Sequence, residues 1–108
     1  MSEDVIYPDW RELVRYAAPG PEPVLLRNEP ELRVLIAGLE PGARIPLHPG
    51  PLGVFHFLDG EGLMTIDGAE RKVSAGMTAI APVGAIRGVT ATTRLAFLVV
   101  RVGAEDLG

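Results

Sequence analysis

From Val24 onward the chain is built of short runs rich in Val, Ile, Leu, Phe and Thr, broken every several residues by Gly, Pro, Asp or Asn. β-branched and aromatic residues suit a pleated surface, and the interrupting residues are those that turn a chain, so each run reads as a short strand. The spacing predicts strands near Val24–Arg27, Glu31–Leu39, Arg44–Leu47, Val54–Leu58, Leu63–Ile66, Arg71–Val73, Thr78–Ala81, Ile86–Ala91 and Leu95–Val102. Asp59-Gly60-Glu61-Gly62 and Asp67-Gly68 are expected to close hairpins, because glycine supplies the positive φ of tight β-turns. Many short strands with regular turns define an all-β sandwich or barrel.

The first 23 residues have a different pattern. Trp10, Leu13, Val14 and Ala17 fall at i, i+3, i+4 and i+7 after Asp9, with Glu12 placed for a capping box. This predicts one short amphipathic helix, which needs a surface to dock on because so short a helix is marginal in water. Ala18-Pro19-Gly20-Pro21-Glu22-Pro23 then ends the helix and runs extended. The expected organisation is an arm over 1–23 and a β domain over 24–108, since 108 residues suffice for one hydrophobic core and not two.

With no cysteine, the chain has no disulfide, thiolate nucleophile or Cys-based metal site. Ten basic and 14 acidic residues give a net charge of −4, and the basic ones are scattered, which argues against nucleic acid as a partner. No apolar run approaches the ~18 residues of a membrane span, so no membrane role is expected and a cytoplasmic location is the default. Val34-Leu35-Ile36-Ala37 and Leu95-Ala96-Phe97-Leu98-Val99-Val100 are apolar at both parities, so both faces of these strands want cover. A second copy of the chain is the simplest cover, and a homodimer is expected.

Gly42-Ala43-Arg44-Ile45-Pro46-Leu47-His48, Gly60, and Gly76 through Pro82 to Gly84 reproduce the frame of two motifs, G-x5-H-x-H-x3,4-E-x6-G and G-x5-P-x-G-x2-H-x3-N. On these residues the chain resembles the cupin superfamily over about two thirds of its length. The resemblance implies a cupin-type jelly-roll β-barrel preceded by the short N-terminal helix. It also implies a metal held by three histidines and a glutamate, and there the chain departs from the pattern. His48 matches the first histidine, but the second falls on Gly50, the glutamate on Gly53, the third histidine on Arg87 and the asparagine on Ala91. One imidazole does not hold a divalent ion, and a guanidinium, always protonated and donor-only, repels one.

The expectation is therefore a barrel without a metal cofactor, binding a small organic ligand that carries an anionic group. His48 is the candidate hydrogen-bonding or proton-transferring residue, Arg87 the candidate anion clamp, and Phe55, Phe57 and Met64 are candidate wall residues that also fill the barrel. Alternation along the strand places Gly53, Phe55 and Phe57 on one face and His56 on the other. The alternative is a metal-dependent enzyme such as a dioxygenase, in which one divalent metal ion is held by His48 and His56, brought inward by a bulge. A third possibility, acid–base catalysis without metal, needs a carboxylate beside His48, for which Asp59 and Asp67 are available. No catalytic residue is assigned by motif.

Overall fold

The computed structural model describes residues 5–103, so the acidic start at Met1–Asp4 and the end at 104–108 lie outside the described residues. Ten strands follow in order: β1 (Tyr16–Ala17), β2 (Val24–Glu29), β3 (Leu32–Leu39), β4 (Arg44–His48), β5 (Leu52–Asp59), β6 (Glu61–Ile66), β7 (Ala69–Ser74), β8 (Thr78–Ala81), β9 (Arg87–Ala91) and β10 (Leu95–Val102). Each strand expected from the turn pattern is present, five of the nine longer by one to three residues because paired strands extend into their turns. They form two facing sheets in a jelly-roll sandwich. One runs β1-β3-β10-β5-β8, with β2 also on β3, and the other runs β4-β9-β6-β7. The sheets do not join along their edges, which corrects the expectation of a closed barrel.

Two local expectations are also corrected. The N-terminal helix is only a 3-10 turn, Trp10–Glu12, in which the Asp9 side chain accepts a hydrogen bond from the Arg11 backbone N–H. The helical pattern breaks off because Tyr16 and Ala17 pair in parallel with Gly38 and Leu39, and an edge strand and a helix cannot share those residues. Gly38 permits this approach: a Cβ there would lie 2.8 Å from the rings and methyls of Tyr16 and Val14. Second, Asp59–Gly62 closes no hairpin. It carries the chain from the six-stranded sheet into the other, since β5 and β6 lie in different sheets. Asp67-Gly68 does close the β6–β7 hairpin, with φ of 48° and 85° at its two residues.

Leu39, Phe57, Leu95 and Phe97 lie between the sheets with no exposed surface. The Phe57 and Phe97 rings meet at 5.7 Å and 48°. Burying each such ring stabilises the sandwich by about 1.5–3 kcal/mol, which makes this half of the sandwich its solid core. The outer face of the six-stranded sheet is apolar as well. There Tyr7, Trp10 and Leu13 of the arm share a groove with Val34, Ile36 and Leu98, so the chain itself supplies part of the cover that a second copy was expected to provide.

Candidate functional site

The other half of the sandwich is hollow. A cavity of about 170 Å³ opens between the sheets at the end where β4, β5, β9 and β10 meet. Strand alternation selects its walls: Phe55 on β5, and Phe97 and Val99 on β10, face inward from one sheet, while Ile45 and Val89 face them from the other. Pro21 and Pro23 of the linker close the rim, so the segment expected to be a mere connection forms part of the site. Among the described residues, the polar side chains on the wall are His48, Arg87 and Arg101, and no carboxylate lines the cavity.

His48 stands opposite Arg87 across the β4–β9 pair. Simple alternation along β4 would put His48 on one face with Arg44 and Pro46, and Ile45 on the other with Leu47, but it does not hold. The register shifts between Ile45 and His48, so Ile45 and His48 both line the cavity while Leu47 is exposed. The His48 Nδ1 lies 2.8 Å from the Pro46 carbonyl oxygen. A carbonyl only accepts, so Nδ1 carries a proton and donates to it. No carboxylate orients this ring: the Asp67 carboxylate accepts from the Ile86 backbone N–H at 2.8 Å instead. The acid–base arrangement considered from the sequence is not formed at His48.

Arg87 is 3% exposed, and its guanidinium is spent on main-chain carbonyls. Nε donates to Ala85 at 2.9 Å, Nη1 to Pro51, and Nη2 to Gly50 at 3.2 Å and Pro82 at 2.7 Å. Four of its five N–H groups are thereby used, binding the Gly50–Pro51 loop to the Pro82–Ala85 turn. This corrects the role of anion clamp: Arg87 brings charge to the cavity but few free donors. Burial pushes its pKa down, the charge of Arg101 adds to that, and Asp67 opposes it. An arginine tolerates such a shift and remains a cation.

The other expected residues divide between the cavity and the core. Phe55 is on the cavity wall, whereas Phe57 and Met64 are packed core, with 0% and 2% exposure, and do not line it. His56 faces away, as alternation required, and its Nδ1 lies 2.9 Å from the Thr78 hydroxyl on the neighbouring strand. The two imidazoles therefore do not converge, which removes the arrangement in which His48 and His56 share an ion. Sequence reasoning missed Phe97, Val99 and Arg101, although the signal was available: they alternate on β10, so fixing Phe97 in the core fixes Arg101 on the same face.

The family model for the Cupin domain matches residues 35–101, and the chain belongs to the cupin family. No curated protein matches it. Among solved structures, it is similar to an uncharacterized conserved protein with a double-stranded β-helix domain from Klebsiella pneumoniae, with a TM-score of 0.84 and 24% identity over 98% of this chain and 95% of that one. A conserved protein of unknown function from Streptococcus pyogenes gives 0.83 and 24%, covering 97% and 93%. A protein from Thermus thermophilus gives 0.80 and 26%, covering 89% and 95%.

The metal ion that the family pattern implies does not fit this site. A Cβ built on Gly50 would stand 3.2 Å from Arg87 Nη1, and one on Gly53 also 3.2 Å from it. The guanidinium thus occupies the space into which the replaced histidine and glutamate would project. Among the described residues, no group of three His, Cys, Asp or Glu side chains gathers anywhere that suits a metal. No helix is long and apolar enough to cross a membrane.

Proposed function

We propose that this cupin works without a metal and binds a small organic anion in the cavity beside His48. The observation that carries this reading is the makeup of the wall: two arginines and a histidine in an otherwise apolar enclosure that no carboxylate among the described residues neutralises. In such a low-dielectric setting uncompensated positive charge favours an anionic guest strongly, and apolar walls accept the rest of its body. His48, its ring held by the Pro46 carbonyl, leaves Nε2 as a further hydrogen-bonding atom on the wall.

Calorimetric titration with a panel of small carboxylates and their neutral amides tests the reading. Binding of one or more carboxylates with clear preference over the matching amide is expected, weakened by His48→Ala. Equal binding of acids and amides, or no binding of either, would sink the anionic part. Elemental analysis of protein purified without chelators tests the rest, since stoichiometric iron, manganese, zinc or nickel contradicts a metal-free site.

The working unit of this reading is a homodimer. Val54, Leu58, Leu98 and Val100 are only partly buried on the outer sheet face, and Ile80 beside them is 60% exposed, an apolar surface that a second copy would cover. Sedimentation at micromolar concentration should give a dimer, and a monomer would refute it.

A further inference from the structure

We infer that Arg101 is the residue that recognises the ligand's charge, and that the ligand is an apolar monocarboxylate about the size of benzoate. The inference rests on the anion-binding reading above and adds a recognising residue and a ligand class to it.

Arg87 and Arg101 line the cavity, and Arg33 is registered opposite Arg101, in a chain whose net charge is −4. Arg87 has its donors committed to carbonyls. Arg33 donates from Nε to the Asn28 side-chain oxygen at 2.9 Å. Arg101, by contrast, has no hydrogen bond or ion pair among the described residues, although it is partly buried and lines the cavity. Its whole donor fork is available to a guest, and a planar fork matches a carboxylate in two parallel hydrogen bonds.

The neighbours of Arg101 point the same way. Across β10 and β5 it faces Gly53, the position at which a Cβ would stand 3.2 Å from Arg87 Nη1, so the two cations share this part of the wall. Across β10 and β3 it is registered directly opposite Arg33. Like charges directly opposite on neighbouring strands destabilise a sheet, and among the described residues no acidic residue of the cavity wall relieves this pair. A bound anion would relieve it. Proteins commonly keep such locally unfavourable arrangements at sites where a ligand completes them.

Size follows from the walls. A dry apolar cavity of ~150 Å³ accommodates benzene. At about 170 Å³, between Phe55, Phe97, Val99 and Val89, this one takes one ring or a short branched chain, with the carboxylate directed to the arginine end.

Isothermal titration of the intact protein with benzoate and with benzamide, its neutral near-isostere, tests the assignment. Wild type is expected to prefer benzoate, and Arg101→Gln to lose about ten- to hundredfold in benzoate affinity, the scale of a hydrogen bond to a charged group, with benzamide unchanged. Arg101→Lys should recover part of the loss. Because Arg101→Gln also removes the repulsion from Arg33, it should melt at the same or a higher temperature, which separates lost recognition from lost folding. If wild type binds benzoate and Arg101→Gln binds it equally well, the role of Arg101 is wrong while the anion-binding reading stands. If wild type binds neither compound, or both alike, the ligand class fails together with that reading.

Discussion

Arg87 Nη1 lies 3.2 Å from the point where a Cβ on Gly53 would stand, so the bare backbone at one position and the long cation at the other are a single arrangement. In the family pattern these two positions carry side chains that reach for a shared ion. Here Arg87 reaches through the vacated space and binds the loop that leads into the strand of Gly53.

Removing the guanidinium leaves the carbonyls of Gly50, Pro51, Pro82 and Ala85 without their donor. Arg87→Leu should therefore destabilise the protein by about 3–5 kcal/mol in urea unfolding. Arg87→Lys should recover less than half of this, because one ammonium cannot span carbonyls on two separate loops. A loss within 1 kcal/mol for Arg87→Leu, roughly the scale of an ordinary surface change, would show that the loops hold together by other means.

Gly60 turns the chain from one sheet to the other with φ of 90°, and a Cβ there would stand 1.7 Å from the Arg94 carbonyl oxygen. Neither the backbone angle nor the neighbouring main chain can yield. Gly60→Ala is expected to cost more than about 3 kcal/mol and to appear as insoluble protein or as a low denaturation midpoint. Wild-type stability in this variant would mean the sheet crossing is built differently.

Gly38 has ordinary dihedrals, and its constraint is proximity to the arm. A Cβ would press on Tyr16, Val14 and the Arg15 carbonyl at 2.8–2.9 Å. Gly38→Ala should displace β1 at a cost of about 1–3 kcal/mol while the rest of the sheet stays paired. Limited proteolysis should then cut around residues 14–20 faster, with hydrogen exchange in β10 unchanged. Equal loss of protection in both would show that arm and sandwich form one cooperative unit.

Glu40 accepts from Arg94 Nε at 3.0 Å and from Nη2 at 3.1 Å, and this hydrogen bonding holds its carboxyl below the ordinary carboxylate range. A depressed folded-state pKa adds stability above the unfolded value of ~4.3 and loses it as pH falls through the folded one. Glu40→Gln should accordingly melt below wild type at neutral pH, with the difference closing as the solution is acidified below the unfolded value. A gap that persists unchanged into acid would assign the effect to packing on Tyr16, whose ring lies 4.6 Å from the Arg94 guanidinium carbon.

Much of the framework was legible because its signals are local. A run such as Val54–Leu58 between glycines reports a strand wherever it occurs, and the parity of Gly53, Phe55 and His56 correctly sent the histidine outward. The misreadings arose where a distant partner intervened. Leu13, Val14 and Ala17 carry a helical stripe, but the edge of β3 claimed Tyr16 and Ala17. His48 and Ile45 differ in parity by count, yet a register shift put both on the wall. Asp59-Gly60 has hairpin chemistry, but the strands on either side of it belong to opposite sheets.

Strand positions, turn positions and the loss of the family's ligand set are contained in the order of residues alone, because steric preference and donor chemistry belong to each residue wherever it is placed. Where Arg87 points is of another kind. Its guanidinium is held by carbonyls that lie 36 and 37 residues away along the chain, and main-chain carbonyls are the same for every residue type, so nothing in the residue order announces them. Only the folded arrangement, by bringing two loops to one point, turned a candidate clamp into a structural tie and left Arg101 as the cation on the wall whose side chain has no partner among the described residues.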